Sequence, residues 1–277
     1  MIRADKISFS YNRQLLFDNL SVKFLPGRIY GTLGKNGAGK TTLLKLLCGL
    51  LKPQKGHCSF LNKPSRNRTP DLLEQIYFIP ESFYLPPITI TQYESLHSPF
   101  YHQFDPVLFH QHLNEMELKL SQKLNSLSYG LSKRFLLAFG LATNSRILLL
   151  DEPTNGLDIP SKRSFRKLLA SSINEERTII IATHQIKEME TLFDHLVFID
   201  QGKILLSNSV PEIAMKLQFK NVTTFEENEA ILYKEEIPGG YATISRNLTG
   251  EELPVDIEFL FSAVTGLAEQ VIEELNP

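Results

Sequence analysis

Nine consecutive residues, Gly34 to Thr42, read GKNGAGKTT and fit the spacing G-x-x-x-x-G-K-[ST]. Glycines let the backbone curl its N–H groups around phosphate oxygens. A helix opening at the end of such a loop adds the positive end of its dipole. Lys40 is spaced to reach the β- and γ-phosphates, and the Thr41 hydroxyl to ligate a magnesium ion. Farther along, ILLLDE (Ile147 to Glu152) runs an apolar strand into two carboxylates. Asp151 suits a magnesium ion held through water. Glu152, one residue on, points elsewhere and suits a general base that polarises an attacking water.

Those side chains need a scaffold, and the surrounding pattern supplies one. RIYGTLG is a short apolar strand running into the glycine loop, and TTLLKLLCGLL behind it has the dense leucine pattern of a buried helix. SRILLLDEP, RTIIIATH and HLVFID are further apolar runs of strand length. Short buried strands alternating with helices predict an α/β layer architecture with a largely parallel core sheet. Residues from about 84 to 145 carry aromatic and leucine residues at helical spacing without strand-like runs, an inserted helical subdomain. After 210 the pattern shifts to short strands around TTFEENEAILYKEEIPGGYATISRN, with a turn at Pro238, Gly239 and Gly240. A helix follows in PVDIEFLFSAVTG, with Asp256 as its cap and Ile257, Leu260, Phe261 and Val264 on one face.

Charge marks the same boundary. Of 31 acidic and 29 basic residues, 13 acidic and 4 basic fall in 211–277, so that segment carries −9 and the first 210 residues +7. The basic part suits an anionic ligand, but that charge alone does not imply nucleic acid. The expected division is therefore 1–210 as a catalytic domain and 211–277 as an acidic accessory region, either a packing module or a regulatory or dimerising one. No apolar run approaches the roughly 18–20 residues of a membrane span, and no signal peptide opens the chain. The two cysteines, Cys48 and Cys58, have no metal-type spacing. These features point to a reducing cytosol.

Seven motifs in one order resemble the ATP-binding subunit of a bacterial ATP-binding-cassette (ABC) transporter. They are Tyr11 where that family places its adenine-stacking aromatic, GKNGAGKTT, FIPES at the switch loop, LSYGL at the signature, ILLLDEP, NGLD and ATHQ. The resemblance covers residues 1 to about 210. It implies a P-loop NTPase of ABC type, mostly parallel in its core sheet, with an antiparallel β edge, the inserted helical subdomain and a small C-terminal α+β extension. Two such cassettes, identical or different, sandwich two ATP molecules with Mg²⁺, each site joining one subunit's phosphate loop to the other's signature. Hydrolysis to ADP and phosphate then drives a separate membrane-spanning subunit. Such a chain sits in the cytoplasm, attached peripherally to the inner face of the cell membrane. The insert YHQFDPVLFHQHLNEMEL and the tail IEFLFSAVTG lean towards exporter-type subunits. The alternative is a soluble ABC-type ATPase acting on nucleic acid or ribosomes. Relatives of that kind usually carry two cassettes or a long coiled-coil insertion, absent here, so no nucleic-acid partner is expected.

By this resemblance the nucleotide contacts are Tyr11, Gly34, Lys35, Asn36, Gly37, Ala38, Gly39, Lys40, Thr41 and Thr42, with Ser128 and Gly130 serving the partner's nucleotide. Thr41, Glu81 and Asp151 face the metal, and Glu152, His184, Glu81 and Lys40 carry the chemistry. The less favoured reading of Tyr11 is a strand tyrosine packed on the core. His184, at the end of TIIIAT, faces the γ-phosphate and helps orient water. Asp158, ending NGLD, is placed at the subunit interface, a role compatible with capping the next helix. Two departures stand out. Glu81 replaces the switch-loop glutamine, which retains an oxygen ligand and adds negative charge. In LSYGL, Tyr129 replaces a glycine and Leu131 a glutamine, while Ser128 and Gly130 persist. A helix starting near Leu131 would aim its N-terminus at the partner's phosphate.

Overall fold

The parallel core follows from strands that are apolar on both faces. In β3 (Arg28–Leu33), β6 (Ile76–Ile79), β7 (Ile147–Asp151), β8 (Thr178–Thr183) and β9 (His195–Asp200) nearly every position is buried. Alternate residues divide between two apolar clusters: Leu148, Leu150, Ile179 and Ile181 face one, Ile147, Leu149, Ile180 and Ala182 the other. The computed structural model describes residues 1–224 and 231–275. Its six-stranded sheet has the order β10-β9-β3-β8-β7-β6, parallel except where β10 (Lys203–Ser209) runs back along β9.

The register matters most at one edge. Leu33 pairs with Thr183, Asp151 with Ala182, and Ile79 with Leu150. The strands therefore end together, and the segments that follow them (Gly34 onward, Glu81, Glu152, His184) all leave the sheet at its carboxyl edge, where open α/β sheets place their ligands. Helix α1 (Lys40–Leu47) lies beneath a second, antiparallel sheet of order β2-β1-β4-β5, formed by β1 (Ile2–Tyr11), β2 (Gln14–Phe24), β4 (Lys55–Phe60) and β5 (Lys63–Pro64). Leu43, Leu44, Leu46 and Leu47 of α1 pack with Phe17, Phe24 and Phe60 between the sheets. The β1–β2 hairpin turns through Asn12 and Arg13, both at positive φ (44° and 71°), the twist-matching geometry of a two-residue hairpin. That turn leaves Tyr11 at the end of β1.

After the short α2 (Pro70–Leu73), the inserted segment holds α3 (Ile90–His97), α4 (Pro106–Glu115) and α5 (Tyr129–Ala142). Each begins on a side-chain cap: Thr89 in a capping box with Gln92, Asp105, and Ser128. Their aromatic residues meet edge to face, Tyr93 lying 5.0 Å from Phe135 and 5.2 Å from Phe139. Helix α6 (Ile159–Ser172) follows β7 and buries Phe165, Leu168 and Leu169.

The acidic tail shares this core. Helix α7 (Val210–Lys216) starts on a Ser209–Glu212 capping box, and a three-stranded sheet β11-β13-β12 follows, of β11 (Leu217–Val222), β12 (Ile231–Ile237) and β13 (Gly240–Arg246). Helices α8 (Ile257–Thr265) and α9 (Glu269–Leu275) end the described chain. Ile213, Ile244, Leu260, Val264 and Val271 belong to the same apolar cluster as Phe135 and Leu150, and Phe261 meets Phe198 of β9 at 5.3 Å. Asp256 caps α8 by accepting from the Phe259 N–H at 2.9 Å. Ala263 rather than Phe261 completes the fully buried face, because Phe261 is left half-buried against β9. Residues 225–230, within the segment read as strands, lie outside the described residues. Among the described residues no helix is long and apolar enough to cross a membrane.

Candidate functional site

The loop from Gly34 to Gly39 closes on itself through Lys40. The Lys40 Nζ donates to the main-chain oxygens of Gly34 (2.7 Å) and Lys35 (3.2 Å) and lies 3.7 Å from Glu152 Oε1. Gly39 precedes the helix at φ 107°, and a Cβ there would stand 2.6 Å from the Phe17 ring, so only glycine serves. No side chain caps α1. Its leading N–H groups are available to an anion. Burial lowers the Lys40 pKa, with Glu152 and Asp151 pulling it back up. An anionic phosphate would supply the missing compensation.

Thr41 donates to both Asp151 oxygens, at 2.9 and 2.8 Å. Burial raises the Asp151 pKa and the Thr41 bond opposes the rise. Asp151 and Glu152 are both buried at a strand end that also faces Glu81. Carboxylates gathered there with a hydroxyl form a hard-oxygen donor set suited to a magnesium ion. The residues present therefore fit both a phosphate chain and a divalent cation.

Glu152 takes an unusual backbone conformation, φ 44°. Its side chain is fixed at both oxygens: Thr183 donates to Oε2 at 2.9 Å, and the His184 main-chain N–H to Oε1 at 3.1 Å. The His184 ring completes the set, Nδ1 lying 2.8 Å from Oε1. A cleft of about 480 Å³ opens over these groups, lined by Tyr11, Leu16, Asn36, Gly37, Gly39, Lys40, Thr41, Thr42, Glu81, Glu152 and His184. Tyr11 is half exposed, edge-on to Phe9, with its hydroxyl 3.5 Å from Thr42 Oγ1. It lies at the cleft mouth rather than in the core. Leu16, also at that mouth, is not marked by the sequence beyond its place three residues past the hairpin turn.

Ser128 and Gly130 do not line this cleft. Helix α5 begins at Tyr129, two residues before the expected start, because the Ser128 hydroxyl accepts the Leu131 N–H (3.3 Å) and caps it. A Cβ on Gly130 would meet nothing closer than Gly156 O at 3.4 Å, so nothing within this chain demands glycine there. Asp158 caps α6 through the Ser161 N–H at 2.9 Å. The Ser161 hydroxyl first, and then that bond, hold its pKa below the usual range. Asn155 donates to Glu81 Oε1 at 3.0 Å, a contact not evident from sequence.

Comparison with known proteins gives one answer at several levels. A family profile described as "ABC transporter" matches residues 17–155. Among curated proteins, the bacitracin transport ATP-binding protein BcrA of Bacillus licheniformis is 32% identical over 251 residues, 85% of this chain and 79% of its own. That span necessarily runs past residue 210. The Nod factor export ATP-binding protein I of Burkholderia thailandensis is 32% identical over 210 residues, 73% of this chain and 68% of that one. A solved ATP-binding subunit of an ABC transporter superposes with TM-score 0.71 at 21% identity, over 77% of this chain and 91% of the other. A dimeric ATP-binding cassette in a post-hydrolysis state with ADP and Pi superposes with TM-score 0.66 at 22% identity, over 76% and 98%. These superpositions bear on the fold.

Proposed function

The chain belongs to the ABC transporter family as one of its ATP-binding, ATP-hydrolysing subunits, and from that premise we propose how its residues divide the work and what it powers. Lys40 and the N–H groups of 34–42 hold the phosphates, and Tyr11 offers its ring to the adenine. Thr41, Asp151 and Glu81 hold a magnesium ion, which would supply charge neutralisation at the phosphates. Glu152 is the general base: its carboxylate draws the proton of the attacking water while Thr183 and His184 keep it aimed. Ser128 and Gly130 face the nucleotide of a second cassette, supported by their absence from this chain's own cleft. The observation that carries the reading is Glu152, buried 3.7 Å from the loop lysine and 2.8 Å from His184.

The work is export through a separate membrane-spanning subunit, at the inner face of the cell membrane. The names of the relatives, Nod factor export and bacitracin transport, support export over an action on nucleic acid. Purified chain with Mg-ATP should release phosphate. Glu152→Gln should lower that rate at least about 100-fold, within the range of lost general-base catalysis, and trap a dimer on gel filtration with ATP. Undiminished hydrolysis, or a monomer only, counts against these roles. Co-purification of a polytopic membrane protein from detergent-solubilised membranes tests the transport half; a chain found only on ribosomes or DNA would overturn it.

A further inference from the structure

The residue that breaks the signature pattern, Tyr129, reaches out of its helix and touches two other segments, the one holding Glu81 and Phe83 and the one holding Gly156. Its hydroxyl donates to the main-chain oxygen of Glu81 at 2.5 Å. Its ring stacks on Phe83, centroids 5.4 Å apart and planes 9° from parallel. The backbone of Gly156, at φ 76°, presses against the same ring, where an added Cβ would stand 2.8 Å from Cδ1. One helical turn later, at i+4 and so on the same face, Lys133 lies with Nζ 5.0 Å from the Tyr129 ring centroid. Lys133 is buried, 1% exposed, and its Nζ donates to the main-chain oxygen of Glu152 at 2.5 Å. The Glu152 N–H is held in turn by Ala182 O at 2.8 Å. One turn of α5 thus grips the backbone of both cleft-lining glutamates outside the phosphate loop.

We infer that Tyr129 and Lys133 are positioning residues for hydrolysis in their own subunit: the signature helix acts within its chain on Glu81 and Glu152, besides facing a partner's nucleotide. The inference rests on the ATPase reading above and adds a second direction to it. Any rigid shift of α5 would carry Glu81 and Glu152 together. It also gives Tyr129 a reason to occupy a position where the family's glycine would leave the Glu81 carbonyl without this donor.

Tyr129→Phe keeps the ring and its stack and removes only the donor. It should lower kcat roughly 3- to 10-fold, the value of one hydrogen bond, with KM for ATP unchanged. Amide hydrogen exchange around Glu81 and Phe83 should quicken. Lys133→Met should lower kcat further, and Lys133→Arg, which keeps a donor, should recover part of it. Wild-type kcat and exchange in Tyr129→Phe would overturn the inference. So would a raised KM, or weaker ATP-driven dimerisation in a Glu152→Gln background, with kcat unchanged; Tyr129 would then act on the partner's nucleotide instead. A wild-type chain that releases no phosphate would overturn the ATPase reading and with it the catalytic consequence. Exchange would still decide, separately, whether the grip on Glu81 exists.

Discussion

In the roles proposed above, two helices of this molecule turn their N-termini towards phosphate chemistry, and they are finished differently. Helix α1 has no side-chain cap; glycine at φ 107° precedes it, and its first residue, Lys40, is turned back onto loop carbonyls and Glu152. Helix α5 is closed by its own serine, whose hydroxyl takes the Leu131 N–H. The first terminus is formed within one chain, with no side chain on its leading N–H groups. At the second, the Ser128 hydroxyl is already engaged and must share or exchange its partner to meet a phosphate. On the proposed roles, the contrast separates a site that binds from a site that responds to assembly.

The strongest way to break the contrast is at Lys40. Lys40→Ala should abolish both ATP binding to the isolated chain and turnover, because Lys40 is the lysine that lines the cleft, while Lys35 of the same loop does not line it. Equilibrium binding of a fluorescent ATP analogue reads this directly, and binding retained at wild-type affinity would undo the assignment. Ser128→Ala should separate the two termini. ATP binding by the isolated subunit stays at the wild-type level, turnover falls, and stability drops by about 1 kcal/mol as the cap is lost. Urea unfolding alongside the binding assay checks both parts; weakened binding by the monomer would mean that the two termini serve one chain's nucleotide.

The same contrast explains what the sequence made legible. Gly39 and Lys40 are dictated by local backbone geometry, so their types and spacing announce the loop. The parallel strands were readable because TIIIAT and ILLLD are apolar on both faces, and a residue buried on either side must be apolar. The tail helix was read from its period, but choosing between Phe261 and Ala263 for its buried face required knowing how close β9 comes. Strand β11 was missed: LQFKNV buries only its first residue fully, so no alternation marks it. The expected start of α5 falls two residues late, because a serine in the signature has the residue type both for a partner's phosphate and for the local cap it forms here. The grip of Tyr129 on Glu81 joins residues 48 positions apart. No spacing rule encodes it, since it depends on the switch loop and the signature helix converging in space.

The last expected effect lies at Lys133, leaves the nucleotide untouched and sharpens the comparison from the side of stability. Burial lowers its pKa to about 8 from an ordinary 10.5, against the upward pull of Glu81 and Glu152. Below pH 8 the lysine is charged in both the folded and the unfolded chain, and burying that charge costs stability. Between about 8 and 10.5 the folded chain gives up the proton first. The unfolded state then binds more protons, and stability rises with pH. Above 10.5 both forms are neutral and the contribution levels off. A neutral amine still donates, so the bond to the Glu152 carbonyl survives the change. Other groups titrate in this window, and the measurement is therefore a difference: urea midpoints from pH 7.5 to 10.5 for wild type and Lys133→Met. The wild type should gain relative to the variant as pH rises. Parallel curves would mean that Lys133 keeps its proton when folded as readily as when unfolded, and α5 would then hold Glu152 without the strain of a buried cation. Lys40 carries the same kind of depressed lysine at the other terminus, but there a phosphate arrives to compensate it, whereas the only compensation Lys133 has is its own chain.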